Sequence, residues 1–172
     1  AVAAAAWQAY CRLGESELQD VEDGLSWLIA QGCADPERIG ITGASYGGYL
    51  AAYALTHSPM FTLGIAELLP ADWRNYDSIY TERFMQTPVN NPEGYRRAEL
   101  LNAAGDLQGR LLLIHGMLDE NVHFQNTVQF IEALQREKKM FDLMAYPRDG
   151  HGIGHGSGHA RRLRLDYILE GL

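Results

Sequence analysis

Arg38-Ile39-Gly40-Ile41-Thr42-Gly43-Ala44-Ser45-Tyr46-Gly47-Gly48-Tyr49 passes from a short, largely apolar run into a glycine-rich corner, then into a helical stretch that continues to His57. Strand, sharp turn and helix are the surroundings a G-x-S-x-G corner requires. The tight turn leaves the serine hydroxyl exposed, and the flanking glycines relieve crowding in a strained backbone. A strand is therefore predicted over residues 38–42, a helix over 49–57, and Ser45 between them as a nucleophile. The alternative is a purely structural glycine-rich turn.

On the N-terminal side, Ser16 followed by Gln19 is a capping-box pattern, and Leu18, Val21, Leu25, Leu28 and Ile29 recur at helical spacing up to Gly32. On the C-terminal side, residues 61–66, 111–115 and 141–146 read as three more strands. All are short and apolar, as parallel strands covered on both faces tend to be. Val128, Ile131 and Leu134 share one face of a helix over 122–138, and Leu163, Leu165, Ile168 and Leu169 mark a last one. Alternating strands and helices imply a parallel sheet with right-handed crossovers. Residues 70–109 interrupt the alternation with two aromatic-rich helical pieces and a loop at 87–92. Such an excursion over the carboxyl end of a sheet is where a binding site is expected.

A serine hydroxyl needs an imidazole to take its proton and a carboxylate to orient that imidazole. In α/β-hydrolases these follow in the order Ser, acid, His. Asp119 follows the strand at 111–115 and His151 the strand at 141–146, each just past a carboxyl end, the same sheet edge as Ser45. Glu120 and Asp149 are rival acids, but Glu120 adjoins a better-placed Asp and Asp149 belongs to the His loop itself. His115 falls at a buried strand end and reads as a core or supporting histidine, and His57 and His123 as surface or loop residues. His151, His155 and His159 have a spacing of four that on a helix would suit a metal, but Gly152, Gly154, Gly156 and Gly158 between them argue against a helix. No metal and no cofactor are expected.

With 172 residues, 47% hydrophobic and 21% charged, the chain can build one compact domain with an apolar core. Its 14 basic and 22 acidic residues leave a net charge of −8, which opposes a hold on nucleic-acid phosphates or anionic lipid. No nucleic-acid partner is expected. Arg161, Arg162 and Arg164, a basic run near the C-terminus, read as a solvated helix face. No stretch approaches the ~18 apolar residues of a membrane span, so no membrane contact is expected from this segment, and residues 1–7 lack the basic region of a signal peptide. Cys11 and Cys33 fit neither a metal spacing nor a disulfide framework.

Several segments together resemble one family. They are Gly43-Ala44-Ser45-Tyr46-Gly47-Gly48-Tyr49, Trp73-Arg74-Asn75-Tyr76-Asp77-Ser78-Ile79-Tyr80-Thr81-Glu82-Arg83-Phe84-Met85, His115-Gly116 with Asp119-Glu120-Asn121-Val122-His123-Phe124, and His151-Gly152-Ile153. From about Leu13 onward the chain is similar to the peptidase domain of the prolyl oligopeptidase family, in its dipeptidyl peptidase IV branch. The resemblance implies an α/β-hydrolase fold, here its C-terminal portion with about four parallel strands flanked by helices. It implies a serine peptidase that releases N-terminal Xaa-Pro or Xaa-Ala dipeptides through an acyl-enzyme. An acylaminoacyl peptidase or esterase on the same scaffold, or a non-catalytic interaction segment, is the alternative.

Carried over residue by residue, the resemblance makes Ser45, Asp119 and His151 the triad and the Tyr46 backbone N–H an oxyanion donor. Trp73, Tyr76, Tyr80, Val122 and the Tyr46 ring become walls of a proline pocket, and Asn121 a holder of a substrate carbonyl. Tyr76 and Tyr80 alone, one helical turn apart, would read as a plain core face. Two departures stand out: Glu67 and Pro70 occupy a segment where the family carries small residues and a Val. The family's domain also begins upstream, with four further strands, an oxyanion tyrosine and a β-propeller, so residues 1–172 are expected to form a partial peptidase domain. Taken alone, that part is expected to be poorly soluble and nearly inactive, with the strand at 38–42 an unprotected edge. A peptide substrate is the expected partner, and the resemblance allows a homodimeric parent in a periplasmic or secreted setting, with the compartment otherwise open.

Overall fold

The computed structural model describes residues 8–172; residues 1–7, read above for a signal peptide, lie outside them. The elements are α1 (Glu15–Ala30), β1 (Gly40–Ala44), α2 (Tyr46–His57), β2 (Leu63–Glu67), α3 (Ser78–Met85), α4 (Pro92–Ala98), β3 (Arg110–Gly116), α5 (Gln125–Arg136), β4 (Asp142–Tyr146) and α6 (Ser157–Gly171). Short 3-10 turns occupy Trp73–Asn75 and Ala104–Asp106. The four strands form one parallel sheet in the order β1-β2-β3-β4. This is the α/β arrangement the alternation predicts.

Because successive side chains of a strand point to opposite faces, β3 divides its apolar run between two layers. Leu111 and Leu113 join the core formed with Tyr49, Leu55, Phe130 and Leu134 of α2 and α5, against which Val21, Leu25 and Ile29 of α1 pack. Leu112 and Ile114 face Leu63, Ile65, Ala160 and Tyr167 on the side covered by α6. Burying each such aliphatic side chain is worth about 1.5–3 kcal/mol, so the sheet centre holds the layers together.

All of β2 is buried, whereas β1 and β4 are partly exposed, because each is a sheet edge among the described residues and lacks a covering neighbour on one side; at β1 this agrees with the edge expected from the sequence. Other local expectations are corrected. Helix α1 starts two residues earlier than the Ser16–Gln19 pattern implies. Gly14, at φ 94°, is its N-cap, and Glu17 supplies the reciprocal carboxylate by accepting from the Gly14 N–H at 3.2 Å. Ser16 instead donates to Glu17. On α5 the inward face is Phe130, Ala133 and Leu134, with Val128 exposed; on α6 it is Ala160 and Tyr167, with Leu165 and Leu169 exposed. In both helices apolar spacing alone selected a stripe turned partly toward solvent.

Candidate active site

The corner between β1 and α2 puts Ser45 in a conformation that L-residues seldom adopt, φ 57° and ψ −120°. Strain of this kind costs on the order of 1–3 kcal/mol and persists only where surroundings enforce it. The Ser45 N–H donates to the Glu67 carbonyl at 2.8 Å, which ties the corner to the end of β2. Two glycines make the approach possible. A Cβ on Gly43 would stand 2.4 Å from the Gly47 backbone, and one on Gly48 would stand 2.2 Å from the Glu67 carbonyl oxygen. A Cβ on Gly47 would meet nothing. The sequence reading credited the two glycines of the motif; the second close approach belongs to Gly48, one residue beyond it.

Ser45 Oγ lies 3.0 Å from His151 Nε2, and His151 Nδ1 lies 2.8 Å from Asp119 Oδ2. Three residues from three strand ends thus form one hydrogen-bonded chain. Asp119 is 4% exposed, and its other oxygen, Oδ1, accepts from the Asn121 and Val122 N–H groups at 2.9 Å each. The carboxylate is therefore held on both sides. Glu120 is exposed, and Asp149 accepts instead from the His155 N–H at 2.8 Å and the Gly156 N–H at 3.1 Å, closing the His loop onto the start of α6. His155 Nδ1 also faces Asp149, and His159 Nδ1 faces the Tyr146 hydroxyl. The three evenly spaced histidines thus have three different partners, and among the described residues no group of three or more His, Cys, Asp and Glu is placed to hold a metal ion. His123 is exposed, and His57 stacks on Tyr53 at 3.7 Å between centroids. Burial lowers the pKa of His57.

Beside Ser45 opens a small cavity of about 60 Å³ lined by Tyr46, Pro70, Trp73, Tyr76, Tyr80 and Val122. The aromatic residues form a box. The Trp73 and Tyr76 rings meet edge to face at 6.0 Å, as do Tyr76 and Tyr80 at 5.3 Å, while Trp73 and Tyr80 stack at 6.1 Å. Tyr76 and Tyr80 are only half-buried, so they wall a cavity rather than fill a core. The Tyr76 hydroxyl donates to Asn121 Oδ1 at 2.7 Å, which leaves the Asn121 amide N–H groups to serve as donors. The departure at Pro70 completes one wall. Tyr46, the first residue of α2, has a first-turn backbone N–H with no acceptor inside its own helix. A wider hollow of about 380 Å³, lined by Glu15, His57, Arg97 and neighbours, contains none of these residues.

Two supporting residues escaped the sequence reading. Glu17 accepts a hydrogen bond from the Tyr46 hydroxyl, and burial, reinforced by that carboxylate, raises the phenol's pKa. The departure at Glu67, 6% exposed, is met by Arg164 of α6 in a two-pronged ion pair, so one member of the presumed solvated basic run points inward. Glu17 carried one available signal, its place three residues into α1; nothing near Arg164 announced its partner.

A parallel sheet with its Ser, Asp and His past the carboxyl ends of β1, β3 and β4 defines the α/β-hydrolase class. Residues 5–170 match the model of the prolyl oligopeptidase family, and the chain belongs to that family. It is 39% identical over 168 residues to dipeptidyl peptidase 8 of Mus musculus, covering 94% of this chain and 19% of the relative. With a probable dipeptidyl-aminopeptidase B of Neurospora crassa it shares 45% identity over 123 residues, 69% of this chain and 13% of the relative. The crystal structure of Porphyromonas gingivalis dipeptidyl peptidase 4 superposes with a TM-score of 0.89 at 40% identity, covering 95% of this chain and 24% of that one. The chain thus spans less than a quarter of the length of these relatives. Among the described residues no helix is long and apolar enough to cross a membrane.

Proposed function

We propose that the protein is a serine peptidase that releases N-terminal dipeptides with proline or alanine in second place. The observation that carries this is the Ser45–His151–Asp119 hydrogen-bonded chain opening directly onto the small aromatic cavity. Ser45 Oγ attacks the carbonyl carbon of the second residue while His151 Nε2 takes its proton. Asp119 holds the imidazole with Nδ1–H directed at it and stabilises the charged form. The Tyr46 N–H, aligned with the start of α2, donates to the oxyanion. His151 then returns the proton to the leaving amine, and water releases the dipeptide from the ester. A flat pyrrolidine ring or a methyl group suits the box formed by Trp73, Tyr76 and Tyr80, with Pro70 and Val122 closing its ends. The Asn121 amide would fix the neighbouring substrate carbonyl, and peptide is the partner this site serves.

The test uses the full-length gene product. Hydrolysis of Xaa-Pro and Xaa-Ala anilides is compared with that of N-blocked peptides and short acyl esters, with Ser45→Ala as control. Preference for free-amino Xaa-Pro anilides is expected. Preference for blocked peptides or esters would move the assignment to an acylaminoacyl peptidase or esterase, and absence of fluorophosphonate labelling at Ser45 would make the domain non-catalytic.

A further inference from the structure

His115 occupies the penultimate position of β3 and is 0% exposed. A polar ring at such a place loses its hydration and needs partners in return. It has three. Nδ1 lies 2.7 Å from Thr127 Oγ1, while Nε2 lies 2.9 Å from the Val122 carbonyl and 3.2 Å from Asp119 Oδ2. A carbonyl can only accept, so the proton resides on Nε2, and Nδ1 accepts from the Thr127 hydroxyl. Burial outweighs the pull of Val122 and Asp119 and lowers the pKa of the ring, which is a neutral donor at pH 7.

We propose that His115 is a positioning residue of the relay: its Nε2–H grips the acid loop through Val122 and faces Asp119 Oδ2, keeping that oxygen aimed at His151. The proposal rests on the serine-nucleophile reading above. The geometry converges on this ring. Asp119 Oδ1 is already fixed by two backbone N–H groups, and the second oxygen lies between His151 Nδ1 at 2.8 Å and His115 Nε2 at 3.2 Å. Val122 is both the second partner of the same N–H and a wall of the cavity. Thr127, the third partner, lies in the first turn of α5, so one side chain joins the acid, the pocket wall and the helix that follows. The titratable groups facing it are Asp119 and His151.

The decisive comparison is between His115→Gln and His115→Met in the full-length protein. The two new side chains have nearly the same shape and flexibility, but only Gln offers an N–H. The readout is the rate at which a fluorophosphonate labels Ser45, which depends on the relay and not on the identity of the peptide substrate. Labelling is measured for each variant alone and combined with Asp119→Asn, with unfolding midpoints alongside. Loss of a donor to a charged group predicts that His115→Met slows labelling about tenfold, while Gln stays within about threefold of the unsubstituted protein. In the Asp119→Asn background the Met substitution is expected to change the rate less than about twofold, because two substitutions acting through one interaction do not add. Equal slowing in both backgrounds, equal rates for Gln and Met, or failure of both to fold would assign His115 to the core alone and overturn the proposal. If the unsubstituted protein is not labelled at all, the nucleophile reading falls first and takes this one with it.

Discussion

β3 and β1 deliver two members of the same relay on opposite structural terms. Six of the seven residues of β3 are buried, and its end presents Asp119 from within the core; among the described residues β1 is a sheet edge, its positions alternating between exposed and half-buried. The acid inherits its position from layers of packing. Among the described residues Ser45 has no such cover, and its position comes from backbone contact: the hydrogen bond to Glu67 and the bare approach of Gly48 to the same carbonyl. An active site can thus draw its precision from bulk packing at one member and from local sterics at another.

The contrast is broken most severely at its chemical end. Asp119→Asn is expected to slow labelling and turnover about 10⁴-fold while the far-ultraviolet spectrum is unchanged, because the amide favours the wrong imidazole tautomer. A fall of under tenfold would remove Asp119 from the relay. Leu113→Ala in β3 is expected to cost about 2–5 kcal/mol in urea unfolding, whereas Thr42→Ala on the exposed side of β1 stays within about 0.5 kcal/mol. Equal losses would erase the difference between centre and edge.

Gly48→Ala sharpens the other half. Its new Cβ must push against the Glu67 backbone, for which overpacking predicts about 1–3 kcal/mol of destabilisation and a displaced Ser45. Labelling about 100-fold slower is expected. Gly47→Ala, which meets open space, should leave the unfolding midpoint unchanged or slightly raised. In the cavity, Tyr76→Phe removes one hydrogen bond to Asn121, and a three- to tenfold rise in KM for Xaa-Pro anilides, with kcat little altered, is the expected result.

The smallest effect is on pH dependence. The pKa of His115 is lowered by burial, so below the ordinary histidine value of about 6.5 the unfolded chain binds a proton that the folded one refuses. Stability is therefore full above that pH and declines as the pH falls toward 5. His57, lowered in the same way, contributes alongside. Urea midpoints at pH 7.5 and 5.5 should differ less in His115→Gln than in the unsubstituted protein; an unchanged difference would show that His115 takes up its proton in the folded state as well.

Much of this architecture could be read from sequence because it is written locally. Four apolar runs, the glycine corner and the order of Ser45, Asp119 and His151 each occupy a few consecutive residues, and strand alternation supplies the sheet. What escaped depends on distance or on surroundings. Glu17 reaches Tyr46 across 29 positions and Arg164 reaches Glu67 across 97, separations over which no spacing rule operates. Val128 and Leu165 obey helical periodicity yet face outward, because a pattern identifies an apolar stripe without saying how much of it the neighbouring layer covers. Gly48 was visible as a glycine, but the carbonyl it must clear lies on the next strand.

The Glu67–Arg164 pair also constrains how this protein can change. With Glu67 nearly enclosed, a small residue at 67 strands a guanidinium against the sheet, and a neutral residue at 164 strands a carboxylate behind the nucleophile corner; either step alone is expected to be costly. The two positions behave as one heritable unit. Mutagenesis libraries that vary them independently will score each change as deleterious and miss the double exchange that both would tolerate.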